Sequence, residues 1–383
     1  MAKRRGHGEG TICKRKDGRW EAKVCIGYDA EGKLKRVTKY FRTRQEAAAW
    51  LAEVQTARRT GQFVEPDRIT VGEWVLRYLR TYVKPKVRPT SYANYMDVVR
   101  LHIAPAIGGI PLQQLRRHTI QEFYNRTAEK FSPWRIARIH IVLSGALRQA
   151  VRDNLIPVNP SEYTTRPPIK RKEMKVLSPE EVNRYLEAAK EHRLYAAFLL
   201  ELTTGLRRGE LLALKWEDVD FTKRTLTVKR ALSRVCYADE GFTRLEFTET
   251  KTEASRRTIP LLPEVVQELK RHKARQNEER LFFGAAYRDG NLIFAQEDGR
   301  PVDPRTFHRW HTSILKKAGL PHVRVHDLRH TFATLLLQAG ENPENLRDLL
   351  GHTKTSTTLD LYCHSTMEGK KKAVERLKGI LKI

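Results

Sequence analysis

The chain of 383 residues is long enough for two or three domains, and with 40% hydrophobic residues each could bury a core. Its 72 basic against 45 acidic residues leave a net charge of +27, an excess that repels itself on folding unless an anionic partner neutralises it, nucleic acid before membrane. Four cysteines without a CxxC pair argue against a disulfide scaffold or cysteine zinc site, and the lack of long apolar runs argues against a membrane span or secretory signal, so a reducing cytoplasm is expected.

The basic groups are densest at Lys3-Arg4-Arg5, Lys14-Arg15-Lys16, Arg166 to Lys175 and Lys370-Lys371-Lys372. A protein that wraps a duplex needs cations at many points, because each phosphate contact releases counterions. A membrane-surface helix would concentrate them on one face. Gly10 to Lys16 reads as a short strand and Asp17-Gly18 as a hairpin turn. Trp20, Ala22, Val24 and Ile26 alternate onto one face of a second strand, and Leu34 to Phe41 makes a third. Thr43 and Glu46 form a capping box that opens an alanine-rich helix to about Arg58. After a linker holding Gly61 and Pro66, apolar residues recur at helical spacing: Val71, Trp74, Val75, Tyr78 and Leu79, then Ile136, Ile139, Leu143, Ala146, Leu147 and Ala150. This predicts a bundle of four or five helices. Tyr92, Tyr95 and Trp134 fall inside amphipathic runs and are expected to pack.

Prolines 157, 160, 167 and 168, followed by Lys170 to Lys175, mark an extended basic connector and the sharpest domain boundary. Beyond it, Ser178-Pro179-Glu180-Glu181 has the form of a helix start. A second helix is expected from about His192 to Thr203, then strands over Trp216 to Val228 with a partner ending near Ile259. Helices resume at Pro263 and dominate from Pro304, with Gly340 and Gly351 as stops and Asn342-Pro343 as a restart. The expected fold class is multidomain α+β. A small three-stranded sheet plus helix occupies 1–62, an all-α bundle 68–165, and a mainly α domain with a small antiparallel sheet 175–383.

Four segments of the last domain carry residue types suited to phosphate chemistry. In Thr204-Gly205-Leu206-Arg207-Arg208-Gly209-Glu210, an arginine at a turn into a helix can present its fork to a phosphate near helix-terminal amides, or simply pair with Glu210. Lys251, in Lys251-Thr252-Glu253-Ala254-Ser255-Arg256-Arg257-Thr258-Ile259-Pro260, can reach a neighbouring site from a strand turn, or remain a solvated charge. In His326-Asp327-Leu328-Arg329-His330 a helix places His326 and Arg329 on one face. His326 and His330 also have the spacing of a metal pair, but no convincing third ligand accompanies them. Leu350-Gly351-His352 leads on to Tyr362 in Leu359-Asp360-Leu361-Tyr362-Cys363-His364, where a tyrosine alone is ordinarily a packing residue.

Taken in order, TGLRRGE, KT..S.R.IP, HDLRH, LGH and LDLY resemble the signature of the tyrosine recombinases, the phage-integrase family, across about 175–380. The resemblance implies a site-specific recombinase of a mobile element, which cuts and rejoins DNA strands through a 3′-phosphotyrosine intermediate. It implies a catalytic domain over 175–383, a core-site-binding domain over 68–165 and an arm-site-binding domain over 1–62. Arg207 and Arg329 would clamp the scissile phosphate, Tyr362 would attack it and Lys251 would protonate the leaving 5′-oxygen. His326 would assist proton transfer at the tyrosine, and His352 would donate to a phosphate oxygen. No cofactor and no metal are expected, since two arginines and a lysine can replace a metal clamp and no GxxxxGK[ST] run is present. The implied partners are double-stranded DNA at core and arm sites, further copies of the chain in a tetramer, and an accessory directionality factor. A type IB topoisomerase shares the tyrosine chemistry, and a non-catalytic DNA-binding protein shares the charge. The separate N-terminal module favours an integrase. In the tail, Val374, Leu377, Ile380 and Leu381 recur at helical spacing, as a segment that docks within its own chain or on a neighbour would.

Overall fold

The structure, a computed structural model, describes residues 10–28, 31–60, 63–65, 67–169, 174–237, 239–249 and 256–351. The chain divides into two compact units, Met1–Lys170 and Arg171–Ile383.

The first unit opens with three antiparallel strands, β1 (Thr11–Lys14), β2 (Trp20–Tyr28) and β3 (Leu34–Phe41), in the order β1-β2-β3. The β1–β2 turn places Gly18 at φ +80°, where its N–H donates to the Arg15 carbonyl at 3.1 Å. Ala22 and Val24 of β2 are buried as the alternation requires. Helix α1 (Arg44–Arg59) begins at the predicted Thr43–Glu46 capping box and packs Leu51 and Val54 on Val24.

A second, larger core follows in this unit. Helix α2 (Val71–Tyr78) continues through a π turn, Leu79–Val83, into a 3₁₀ turn, Lys84–Lys86. Helix α3 (Pro89–Val98) runs through another π turn, Val99–Ile103, into α4 (Ala104–Ile107). Helices α5 (Arg117–Lys130) and α6 (Pro133–Arg152) complete the bundle, so four continuous helical stretches form it. The apolar stripes meet as their spacing predicts: Val71, Trp74, Val75 and Leu79 share a core with Ile136, Ile139, Leu143, Ala146, Leu147 and Ala150. The Trp74 indole donates to the Ala146 carbonyl at 2.8 Å, which gives its buried polar atom a partner. Tyr92 is buried and Tyr95 packs against the core. Trp134 does not: it is 65% exposed. It stands in the first turn of α6, before the buried stripe begins at Ile136, so helical position alone does not bury it.

The second unit starts at α7 (Pro179–Ala189), with Ser178 and Glu181 in a capping box. Helix α8 (Tyr195–Thr204) starts three residues later than expected, because Lys190 and His192 close turns onto Glu187 and Ala189. A short helix, α9 (Arg208–Leu211), precedes a sheet of β4 (Val219–Asp220), β5 (Thr225–Val228) and β8 (Arg257–Pro260). Ile259 lies opposite Leu226, the predicted pairing. Between β5 and β8 stands a hairpin that sequence reasoning did not find, β6 (Arg230–Tyr237) and β7 (Phe242–Glu249). Its arginines, threonines and glutamates leave only Leu232 and Val235 buried, so it carries almost no apolar alternation. Then come α10 (Pro263–Phe283), α11 (Pro304–Lys317), α12 (Val325–Gln338) and α13 (Pro343–Leu350). Asn342 caps α13, and Gly340 and Gly351 take the left-handed backbone expected of helix stops. The core of this unit surrounds α8, whose Ala196, Ala197, Phe198 and Leu200 are all buried. Among the described residues no helix is long and apolar enough to cross a membrane.

Candidate active site

Arg207 sits where α8 turns into α9. Gly205 caps α8 at φ +61°, and a Cβ there would lie 2.4 Å from Phe332 Cδ1, so only glycine fits the turn. Two residues on, Arg207 is the N-cap of α9. Its backbone N–H donates to Glu210 Oε2 at 3.0 Å and its Nη1 to Glu210 Oε1 at 2.8 Å. The pairing with Glu210 that the sequence left open is therefore formed. The fork does not lie at helix-terminal amides: its Nη2 donates to the Gly351 carbonyl at 3.3 Å, past the end of α13.

Arg329 projects from α12 and is 1% exposed. Its Nη1 donates to the Gly205 carbonyl at 2.7 Å and its Nη2 to the Leu350 carbonyl at 2.6 Å. Arg257, on β8, donates from Nε to the Leu349 carbonyl at 2.7 Å and from Nη2 to Glu210 Oε2 at 2.8 Å. Three consecutive carbonyls at the end of α13 thus each accept from a different arginine. A helix C-terminus has unsatisfied carbonyls and a partial negative charge, which favour cations there. Two of these three guanidinium groups, those of Arg207 and Arg257, share the Glu210 carboxylate, and the positive charge gathered at the helix end suits an anion such as a DNA phosphate.

Burial alone would raise the Glu210 carboxyl. The hydrogen bond and charge of Arg257, then the charge of Arg207, outweigh it and hold the pKa at about 2. The unfolded value is near 4.3. A carboxyl depressed on folding stabilises the fold above its unfolded pKa, and that stability is lost as pH falls through the folded one. Glu210→Gln is therefore expected to lower stability at pH 7 by a few kcal/mol, on the order of 3. The gap should close between about pH 4.5 and pH 2. Thermal unfolding of both proteins across that range checks it; a gap that is constant with pH would refute the ionic role.

His326 lies in the first turn of α12 with one edge open to solvent. Its ring meets that of His330 edge to face, 4.8 Å between centroids. Partial desolvation, then the neighbouring His330, Arg329 and Arg207, push its pKa down to about 4. At neutral pH it is a neutral imidazole beside two guanidinium groups, able to accept a proton. The start of α12 is held from two sides. Arg324 donates to Asp327, while the Thr331 hydroxyl donates to the Asp327 carbonyl and accepts from the Leu177 N–H. Just upstream, His311 Nε2 donates to the Val323 carbonyl at 2.9 Å and the Tyr185 hydroxyl donates to His311 Nδ1 at 2.8 Å. Among the described residues no group of three metal-ligating side chains exists.

Arg207 and Arg329 are brought together at the end of α13, and His326, one helical turn before Arg329 on α12, is close enough to feel the charge of both. Lys251, His352 and Tyr362 lie outside the described residues. Sequence reasoning quoted Arg257 as the arginine of KT..S.R.IP but gave it no role, and took Glu210 only as a possible partner of Arg207. The signal available for Arg257 was strand alternation, which points it inward with Ile259 while Thr258 and Pro260 face out.

Residues 175–369 match the Phage integrase family, 70–128 the N-terminal SAM-like domain of phage integrases, and 12–57 the Arm DNA-binding domain. A "Tyrosine recombinase XerC-like" protein of Caldanaerobacter subterraneus subsp. tengcongensis is 33% identical over 372 residues, covering 93% of this chain and 95% of its own. Among solved structures, the Tn1549 transposon integrase in complex with transposon right-end DNA has a similar fold (TM-score 0.67, 24% identity, 81% of this chain and 99% of that one). So does a lambda integrase tetramer bound to a Holliday junction (TM-score 0.58, 20% identity, 95% and 99%).

Proposed function

This chain belongs to the phage integrase family, and on that premise we propose how its residues divide the work of cutting and rejoining DNA. It is a tyrosine recombinase of the integrase type. Tyr362 supplies the nucleophile. Its oxygen bonds to the scissile phosphorus as the bond to the 5′-oxygen breaks, leaving a 3′-phosphotyrosine and a free 5′-hydroxyl. Arg207 and Arg329 hold the non-bridging oxygens and stabilise the charge of the pentacoordinate transition state. His326 takes the tyrosine proton, Lys251 gives one to the departing 5′-oxygen, and His352 donates to a phosphate oxygen. Resealing reverses these steps with a new 5′-hydroxyl, and the covalent link keeps the energy of the broken bond.

The observation that carries this proposal is the arginine cluster at the end of α13, where the Arg207 and Arg329 forks donate to neighbouring carbonyls directly before His352 in the chain. We assign 175–383 to catalysis, 68–165 to core-site DNA and 1–62 to arm-site DNA. The chain would assemble as a tetramer on paired sites, with a directionality factor as accessory, in the cytoplasm on the nucleoid. The test is a nicked suicide substrate that releases its 5′-hydroxyl fragment and traps the covalent complex. Adduct should accumulate at the same rate with EDTA as with Mg²⁺, because guanidinium groups and a lysine take the place of metal ions. An adduct that forms only with added metal would overturn the assignment.

A further inference from the structure

The geometry points to Arg257 as a positioning residue for strand cleavage, acting through Glu210 on Arg207. It rests on the cleavage chemistry proposed above. Arg257 projects inward from β8 and is 9% exposed. It spans two elements: Nε donates to the Leu349 carbonyl of α13, while Nη2 and Nη1 donate to Glu210 Oε2 and Oε1 at 2.8 and 3.4 Å. Glu210 in turn carries the Arg207 N–H on Oε2 and the Arg207 Nη1 on Oε1. The carboxylate is thus shared between two guanidinium groups.

Sharing has a consequence for Arg207, whose side chain is 39% exposed and is the open edge of the cluster. While Arg257 occupies Glu210, the Arg207 fork is held by one Nη1 bond to Glu210 and one Nη2 bond to the Gly351 carbonyl, and part of its charge still faces outward. Without Arg257 the whole carboxylate charge falls on Arg207, and bidentate pairing would draw its donors away from a phosphate. Lysine at 257 keeps the charge beside Glu210 but has no planar fork to span both Glu210 and the Leu349 carbonyl. Arg257 need not touch DNA to do this.

Single-turnover cleavage of the suicide substrate by the full chain tests it. Arg257→Gln should slow adduct formation about 100-fold and Arg257→Lys about 10-fold, the range of a lost or misplaced transition-state donor. DNA affinity should change less than about threefold, since the phosphate contacts that set affinity remain. In an Arg207→Lys background, Arg257→Gln should add less than about threefold, because residues that act through one another are not additive. Sulfur in place of the 5′-bridging oxygen leaves as thiolate and needs no proton. It should restore Lys251→Ala but not Arg257→Gln. If Arg257→Gln proves too unstable to assay, Arg257→Lys carries the same comparisons. Unchanged cleavage, independent multiplication with Arg207→Lys, or recovery on the sulfur substrate would each overturn the inference. Absence of any wild-type adduct would instead overturn the cleavage chemistry beneath it.

Discussion

A full-length chain carrying Arg329→Lys should form the covalent DNA adduct about 10²- to 10³-fold more slowly than wild type, the usual cost of removing a donor from a developing oxyanion. Binding of the same DNA should weaken less than about threefold, because one buried side chain contributes little to the many-phosphate footprint. Arg329 reaches two carbonyls on different elements, Gly205 after α8 and Leu350 in α13, with one planar fork. An ammonium is a point charge and cannot hold both while presenting a donor to phosphate. Lysine is a cleaner probe than alanine. Arg329→Ala would leave two carbonyls without this donor, at about 1–3 kcal/mol each, and open a cavity as well. Thermal unfolding separates the two effects: Arg329→Lys should retain a cooperative transition near that of wild type. Loss of binding in step with loss of cleavage would show that Arg329 supports the fold rather than the transition state.

How much of this was legible in the sequence depended on how local each determinant is. Helix starts such as Thr43–Glu46 and Ser178–Glu181 lie within four residues and appear where expected. Periodicity placed Val71 to Leu79 and Ile136 to Ala150 in one core. It erred at Trp134, because a residue in the first helical turn follows the pattern without reaching the core. It was blind to β6–β7, whose pairing over Arg230–Glu249 rests on backbone bonds rather than an apolar face. The two arginines proposed as the phosphate clamp were legible only as members of ordered motifs. Their surroundings were not, since Arg257 meets Glu210 and Leu349 from distant points of the chain. Such contacts exist only once β8, α9 and α13 have assembled.

Removing the proposed nucleophile, Tyr362, has the largest expected effect. A free tyrosine has a pKa near 10, so the attack proposed for Tyr362 would draw on the positive field of Arg207 and Arg329 and on a proton acceptor, the role proposed for His326. Phenylalanine keeps the ring and removes only the attacking oxygen. The decisive measurement is adduct formation by Tyr362→Phe on the suicide substrate, beside its affinity for the same DNA. We predict no covalent complex at any time, binding within about twofold of wild type, and, in the wild-type adduct, a peptide linked through Tyr362 to a 3′-phosphate. A covalent complex that persists in Tyr362→Phe, or a wild-type link mapped to another residue, would contradict the assignment of the nucleophile.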